Sequence, residues 1–250
     1  MPRKIVSGEH ATLAVLDVSG RLTPGVTVEF SNGDTLKTDT TGRAMFVAPL
    51  NTAKIYGTIR GRAGRVASTI VTAVESPSAT QEVTLAPRVA SLSDRFELMG
   101  HGFCGDADAN HVLIHGLPAL VLASSPAYLA VLPPPELQPG PAQVQVACGQ
   151  KSSPVFTVVF VSLELEAGNA ALAPGEHRKL TVRVKGSTAK VSLEARNLAP
   201  VVAELQGGTQ VRTASAGGAQ NVANFELVGK RRGNFVISIR LVAPLSAPRN

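Results

Sequence analysis

The stretch from Gly100 to Gly105 has the G-x-G-x-x-G spacing of dinucleotide-binding loops. In such a loop the third glycine opens a helix, and the N-terminus of that helix holds the pyrophosphate. Here Gly105 is followed by a polar segment, residues 106–110, and then at once by the strand-like Val112 to Ile114. Because this leaves no room for a helix, the sequence predicts turn glycines of a β structure, with no bound nucleotide or other cofactor.

Asp106, Asp108 and Asn110 offer three oxygen ligands at the spacing that begins a calcium loop. An EF-hand loop also needs a glycine at its sixth position and a bidentate glutamate at its twelfth. His111 and Leu117 stand at those positions instead. Calcium bound in another geometry stays open as the alternative, and we interpret the three residues as a solvated loop tip.

Cys104 and three nearby histidines raise the question of zinc binding. Two of them, His111 and His115, are four residues apart, a spacing that on a helix brings both side chains to one ion. In a strand the same spacing separates them by about 13 Å, which is too far to share an ion. The sequence therefore predicts no metal site and places these residues and His101 in turns or at strand ends.

Cys104 and Cys148 are the two cysteines of the chain, and both fall in its middle third. Neither belongs to a C-x-x-C motif of the kind that binds metal or performs redox chemistry. A pair confined to one domain suits a single disulfide, so these residues are the disulfide candidate. Two buried free thiols are the alternative.

Motifs of hydrolytic and phosphoryl-transfer enzymes are absent from the sequence. It contains no G-x-S-x-G nucleophile elbow, no H-E-x-x-H and no P-loop. We therefore predict that the chain is not an enzyme and assign no catalytic residue.

The elements around these residues have the pattern of half-buried strands. Apolar and polar residues alternate most clearly over residues 26–30, 180–185, 191–195 and 235–241. Turn formers at short intervals, such as Gly207-Gly208, separate the strands, and this punctuation is typical of sandwiches. The sequence predicts an all-β fold.

Length and composition bound the number of domains. The chain has 250 residues, of which 44% are hydrophobic and 17% are charged, so it is globular and not disordered. One sandwich takes about 100 residues, and we predict three tandem immunoglobulin-like β-sandwich domains. No apolar run approaches the roughly 18 residues of a membrane span.

The net charge of +6 favours contact with acidic surfaces. The cations are densest at two places, Arg60, Arg62 and Arg65 in one segment and Lys230 to Arg232 in another. Since both segments adjoin strand patterns, we interpret them as solvated hairpin tips.

Residues 1–86 contain a strand entry from Asp17 to Val28 and a T-D-x-x-G-x-A-x-F hairpin from Thr38 to Phe46. This pairing resembles the bacterial Ig-like and carboxypeptidase-regulatory-like sandwiches. The resemblance implies that Gly25 and Gly42 serve as structural turns.

Residues 87–160 carry a longer ordered set of motifs. These are a G-x-G-F turn at 100–103, a G-x-P-A hairpin at 116–119, a strand end at 131–133 and a G-x-x-x-V-x-V hairpin at 140–146. Their order resembles the IPT/TIG domain, which is an Ig-like fold. The resemblance implies structural turns at Gly100, Gly102 and Gly140.

Some transcription factors contact DNA through a domain of this family. DNA binding needs cations gathered on one face, and residues 87–160 contain only Arg88, Arg95 and Lys151. We therefore predict no nucleic-acid partner.

Residues 161–250 show strand rows without a family motif, and we predict a third Ig-like sandwich of unknown family. The junction lies near Val161 and Ser162. The run from Val155 to Leu165 suits one strand that passes from the second domain into the third, which would make a stiff joint.

The first ten residues lack the apolar core of a signal peptide, so we expect either a cytoplasmic protein or the mature region of a longer exported precursor. The family resemblances favour an exported protein, extracellular or at the cell surface, with the periplasm as an alternative. We expect a non-catalytic module for adhesion, protein binding or spacing, with a protein partner or self-association. Two alternatives stay open. One is a glycan-binding accessory region of a secreted carbohydrate-active enzyme, for which an anionic glycan would be the ligand, and the other is a subunit of a surface polymer.

Overall fold

The computed structural model describes residues 1–17, 19–61, 64, 66–74, 80–166, 172–206, 211–217 and 221–248. Within these ranges all regular elements are β-strands, and none of the described residues forms a helix long and apolar enough to cross a membrane. The all-β prediction is confirmed. Arg62 and Arg65 of the first basic segment and the Gly207-Gly208 turn lie outside the described residues.

The first sandwich contains seven strands: β1 (Lys4–Val6), β2 (His10–Ala14), β3 (Thr27–Phe30), β4 (Thr35–Lys37), β5 (Arg43–Val47), β6 (Lys54–Ile59) and β7 (Ala67–Thr72). One sheet has the order β1-β7-β6-β3-β4, in which β1 and β7 run parallel. The second layer is the antiparallel pair of β2 and β5. Alternate residues of these strands, among them Ile5, Leu13, Phe30 and Val71, meet in the core between the layers.

The second sandwich is built from β8 (Glu82–Pro87), β9 (Val89–Ser91), β10 (Phe96–His101), β11 (Asn110–Ile114), β12 (Leu117–Ser125), β13 (Tyr128–Leu132), β14 (Gly140–Cys148), β15 (Lys151–Ser152) and β16 (Phe156–Leu165). One layer has the order β8-β10-β13-β12 and the other the order β11-β14-β16, with β9 parallel to β16. In the immunoglobulin topology one sheet contains strands A, B, E and D and the other strands C, F and G. Strands β8, β10, β13 and β12 take the places of A, B, E and D, and strands β11, β14 and β16 take those of C, F and G.

Strand β12 links the two layers of the second sandwich. Its first residues, Leu117 to Ala119, pair with β11, and the rest of the strand pairs with β13 in the opposite layer. A register shift between Val121 and Ala123 interrupts the pairing with β13. Such irregularities bend a strand, and here the strand changes sheets.

The third sandwich contains β17 (His177–Lys185), β18 (Val191–Asn197), β19 (Ala203–Leu205), β20 (Val211–Ala216), β21 (Val222–Gly229) and β22 (Ile237–Val242), and a last short strand, β23 (Leu245–Ser246), follows them. The end of β16 joins β17, β21 and β19 in one sheet, while β20, β18 and β22 form the other. Leu180, Leu193, Leu205 and Phe225 are among the buried residues between them.

The strands at the two domain boundaries, β8 and β16, differ in which sandwiches they pair with. The sequence predicts a first domain of residues 1–86, but β8 pairs with β10, and Val83 and Ala86 lie in the core of the second sandwich. The first sandwich therefore ends before residue 82. At the other boundary β16 is one continuous strand, paired with β14 as far as Phe160 and with β17 from Ser162 onward.

Candidate binding groove

The glycines of the G-x-G-x-x-G stretch allow close backbone approaches. A Cβ on Gly100 would lie 1.9 Å from the carbonyl oxygen of Glu82, and a Cβ on Gly105 would lie 2.1 Å from that of His10. Gly102 has φ +76°, in the region that glycine reaches at little cost. Gly100 thus brings β10 against β8, and Gly105 brings the following loop against the first sandwich.

The three candidate calcium ligands are engaged within the protein. The Asn110 side chain accepts a hydrogen bond from the Cys104 amide and donates to the carbonyl oxygens of Cys104 and Asp106. Asp106 accepts a hydrogen bond from the Asp108 amide, and Asp108 forms an ion pair with Arg43. The described residues contain no cluster of three or more histidine, cysteine or acidic side chains able to hold a metal.

A disulfide joins Cys104 to Cys148, with 5.7 Å between their Cα atoms. It connects the loop after β10 to the end of β14. The sulfur of Cys104 is therefore not available to a zinc ion. Of the three histidines, His101 ends β10, His111 lies in β11 and His115 occupies the turn after β11 with φ +52°.

The T-D-x-x-G hairpin of the first sandwich presents an arginine to the second. Asp39 accepts hydrogen bonds from the side chain and amide of Thr41 and from the amide of Arg43, and the bond from the Thr41 side chain is the largest cause of its lowered pKa. Gly42 has φ +78°, and a Cβ there would lie 2.7 Å from the Thr23 amide nitrogen. The remaining turn glycines, Gly25 and Gly140, have φ +71° and +144°.

Arg43 is buried where the first and second sandwiches meet. Its Nη1 donates to the carbonyl oxygen of Val121 at 3.2 Å, and its Nη2 lies 2.8 Å from Oδ1 of Asp108. A buried guanidinium needs such partners because an uncompensated buried charge costs several kcal/mol. The first junction thus contains a satisfied cation in addition to packed surfaces.

Short hydroxyl side chains complete the first junction. Thr12 and Ser124 both donate to the carbonyl oxygen of Gly105, at 2.9 and 2.6 Å, and face each other in a pairing between β2 and β12. Ser125 donates to the carbonyl oxygen of Lys4 at 2.7 Å. An apolar cluster lies beside them, with Leu122, Ala123, Tyr128 and Ala130 packed against residues that include Ala14, Leu16 and Leu22.

The second junction is held by backbone. Besides the continuous β16, the short strand β23 leaves the third sandwich and pairs with β8, where Leu245 lies opposite Pro87. Arg88 Nε donates to Ser246 Oγ at 3.2 Å. Gly186 supplies one close approach, since a Cβ there would lie 2.5 Å from the carbonyl oxygen of Phe160.

A groove of about 780 Å³ opens beside this connection, between the second and third sandwiches. Its volume falls in the range of ligand sites, about 300–1,000 Å³. Among the residues that the structure describes, two cations, Arg88 and Lys190, line it together with hydroxyl and apolar side chains, and no acidic residue does. The other residues that matter for its chemistry are Val89, Thr157, Val159, Ser187, Ser192, Leu241, Val242, Pro244 and Ser246.

The two cations of the groove have no acidic partner within the part of the chain that the structure describes. The opposite face of the same connection is a depression of about 380 Å³ that contains both signs of charge. There Arg3 pairs with Glu97 and Arg240 pairs with Glu194, each at 2.8 Å. The two faces therefore differ in charge: acidic residues line the depression, whereas the described lining of the groove contains cations and no acidic residue.

No family model matches the chain, and a search of characterised proteins finds no match. Among solved structures it is similar to the SGBP-B of a Bacteroides ovatus mixed-linkage glucan utilization locus, with 13% identity, 96% of this chain and 72% of that chain covered, and a TM-score of 0.40. The chain is also similar to the SGBP-B from a complex xyloglucan utilization locus in Bacteroides uniformis, with 9% identity, 99% of each chain covered and a TM-score of 0.32. A third similar structure is that of immunoglobulin domains 1–4 of Sidekick-1, with 11% identity, 96% of this chain and 73% of that chain covered, and a TM-score of 0.28.

These likenesses are remote in both sequence and geometry, so the strand topology itself defines the class. The chain is an all-β protein of tandem immunoglobulin-like sandwiches. From the sequence, Arg88 is considered only as a DNA contact, and neither Arg43 nor Lys190 is assigned a role. Arg43 stands inside the hairpin motif, but its partner carbonyl is 78 residues away in sequence.

Proposed function

We propose that the chain is a non-catalytic binding module of the extracellular space or cell surface, and that the groove between its second and third sandwiches holds an extended acidic segment of a protein partner. The observation that carries the proposal is the lining of the groove, in which Arg88 and Lys190 stand without acidic partners among the described residues. Cations that form charge-assisted hydrogen bonds to carboxylates bind them more strongly than neutral donors do.

The disulfide supports the location outside the cytoplasm. Disulfides persist in oxidising compartments and are rare in the cytosol, where thiols are kept reduced. The bond between Cys104 and Cys148 closes the loop that contacts the first sandwich. The non-catalytic part of the proposal rests on the sequence, which contains none of the nucleophile, metal or phosphate motifs considered above.

A protein segment suits the groove better than a neutral sugar chain. Sugar-binding faces present flat aromatic rings, but the chain has no tryptophan and two tyrosines, and the described residues that line the groove include no aromatic one. An acidic glycan is the second candidate, because Ser187, Ser192 and Ser246 add hydroxyl groups beside the cations. For the second sandwich we retain the assignment to the IPT/TIG type, and for the first the bacterial Ig-like type.

Binding of two fluorescent probes to the full chain tests the proposal. One probe is a peptide of alternating valine and glutamate, and the other is oligogalacturonate. We expect the peptide to bind, and we expect Arg88→Gln with Lys190→Gln to weaken it at least tenfold, since one charged hydrogen bond is worth about 1.5–3 kcal/mol. Glutamine at position 88 keeps a donor near Ser246 while removing the charge and the terminal guanidinium nitrogens.

The matched control is Lys37→Gln with Lys179→Gln, which removes the same charge from two exposed positions that do not line the groove. This control should bind the peptide as the unsubstituted chain does. If oligogalacturonate binds and the peptide does not, the partner proposed for the groove is an acidic glycan and not a protein segment. Equal loss in the control and groove variants, or no binding of either probe, would refute the groove as the site.

A further inference from the structure

The third sandwich ends in two loops that lie side by side, residues 198–202 and 230–236, which we call the distal tip. Strand β22 begins next to the tip, where Ile237 pairs with Asn197, and it ends at the groove, where Val242 pairs with Ser192. The tip is therefore at the opposite end of the third sandwich from the groove, and ligands at the two places would not compete.

Three aliphatic side chains are exposed at the distal tip. Leu198, Val201 and Val236 are 52%, 58% and 58% exposed. Single exposed aliphatic residues are common on soluble proteins, but these belong to adjacent loops, and the amide of Leu198 donates to the carbonyl oxygen of Val236 at 2.9 Å. They form one apolar patch.

A buried asparagine fixes the shape of the first loop. The side chain of Asn197 donates to the carbonyl oxygen of Ala203 at 2.7 Å and accepts from the amide of Ala199 at 2.9 Å. The amides of Val202 and Ala203 both donate to the carbonyl oxygen of Ala199. Because these bonds satisfy the backbone within the loop, Leu198 is held outward without a partner element to cover it.

The second loop places three cations beside this patch. Lys230, Arg231 and Arg232 are exposed, and the amides of Lys230 and Arg231 both donate to the carbonyl oxygen of Val202, at 2.8 and 3.2 Å. Lys230 forms an ion pair with Glu204 at 2.5 Å. Neither arginine has an acidic partner among the residues that the structure describes.

We propose that the distal tip docks on an anionic lipid surface, with the three aliphatic side chains entering the boundary between headgroups and acyl chains and the arginines binding lipid phosphates. Apolar side chains flanked by cations bind such surfaces through buried area and charge together. Long basic side chains keep their charged ends at the headgroups while their stems lie along apolar surface.

The small extent of the patch favours a lipid surface over a protein partner. A stable protein interface buries about 800 Å² on each side and requires matched shape, whereas three aliphatic side chains on two loops form a narrow tip. Protein hot spots are also enriched in aromatic residues, and the patch contains none. A fluid surface adapts to a tip of any shape, so the narrow patch can bury all three side chains there.

Vesicle sedimentation with the full chain tests the proposal. We expect binding to vesicles of equal parts phosphatidylcholine and phosphatidylglycerol, weaker binding to phosphatidylcholine alone, and a decrease as salt is added. Arg231→Gln with Arg232→Gln should lower the partition coefficient about 25-fold, about fivefold for each cation near the surface. Leu198→Ser with Val201→Ser should lower it roughly tenfold.

The control of equal charge is here Lys37→Gln with Lys54→Gln, two exposed positions of the first sandwich, and it should bind these vesicles as the unsubstituted chain does. All substituted positions are exposed, and an unchanged Tm verifies that each variant folds. The proposal is overturned if the chain does not bind the acidic vesicles, if the control loses as much binding as the arginine variant, or if polyglutamate beads retain the chain while vesicles do not. Failure of the groove proposal would leave these results unaffected.

Discussion

The two junctions between sandwiches differ in what fills them. At the first junction side chains occupy the space between the sandwiches: Arg43, Thr12 and Ser125 donate across it, and an apolar cluster lies alongside. At the second junction the connection is made by backbone, through the continuous β16 and the pairing of β23 with β8. A groove remains open beside it.

The two junctions show that neighbouring domains can be held together by side-chain packing or by a shared strand, with different consequences for the space between them. Side-chain packing removes the surface between domains from solvent and leaves no room for a ligand. Strand continuity fixes orientation without filling that space, so the surfaces on both sides stay exposed. A binding site between sandwiches is therefore expected at the second junction and not at the first.

The largest expected effect comes from the disulfide that closes the loop at the first junction. Cys104→Ser with Cys148→Ser opens a link with a sequence separation of 44 residues, for which loop-closure entropy gives about 4 kcal/mol of lost stability. Denaturant titration measures this loss, and reduction of the unsubstituted chain should reproduce it. An unchanged unfolding midpoint would show that side-chain packing alone holds the loop.

Gly105→Ala should be nearly as damaging, because the added methyl group would lie 2.1 Å from the carbonyl oxygen of His10. Separating the first sandwich from the loop should cost about 3 kcal/mol, the upper end of the usual overpacking penalty. Gly57→Ala is the matched control, since its Cβ makes only ordinary contacts, the nearest at 3.6 Å. Thermal unfolding that affects both variants equally would contradict the proposed close approach.

Replacing the buried cation should have a smaller effect. Arg43→Met keeps the length of the side chain but leaves the carbonyl oxygen of Val121 without its donor, at a cost of about 2 kcal/mol. Arg60→Met removes an exposed arginine paired with Glu29 and should cost at most about 0.5 kcal/mol. A double-mutant cycle of Arg43→Met with Asp108→Asn measures how much of the stability lost in Arg43→Met belongs to the ion pair. Equal losses of stability from Arg43→Met and Arg60→Met would mean that the junction does not depend on Arg43.

Removing residues 244–250 tests the second junction. This deletes β23 and its pairing with β8, and we expect little change in stability, within about 1 kcal/mol, because few hydrogen bonds are lost. The third sandwich should sample a wider range of orientations, seen as a broader distance distribution in small-angle X-ray scattering. An unchanged distribution would show that β16 alone fixes the joint.

The smallest effect concerns the turn that presents Arg43. The hydrogen bond from the Thr41 hydroxyl is the largest cause of the lowered pKa of Asp39, so Thr41→Ala should raise that pKa toward its ordinary value. A lowered folded-state pKa contributes stability above the unfolded-state pKa, and this contribution is lost as pH falls through the folded-state value. An NMR titration of Asp39 in Thr41→Ala measures this change in pKa. If the pKa of Asp39 were unchanged, the backbone amides of Thr41 and Arg43, and not the hydroxyl group, would be the cause of its lowering.

Local patterns were enough to predict the strands, because alternation of apolar and polar residues is a property of neighbouring positions. They could not assign β8 to its sandwich, since residues 82–85 alternate in the same way whichever core receives them. The roles of Gly105 and Arg43 depend on His10 and Val121, which are far away in sequence. The groove was hidden for the same reason, as Arg88 and Lys190 come together only when two sandwiches are joined.

Strand β16 also determines how the chain responds to mechanical load. It is hydrogen-bonded to β14 and β9 in one sandwich and to β17 in the next, without an intervening linker residue that could act as a pivot. Bending at this joint must distort a strand that both sandwiches hold. Tension applied along β16 would therefore load its hydrogen bonds to both sandwiches in shear, where they resist together.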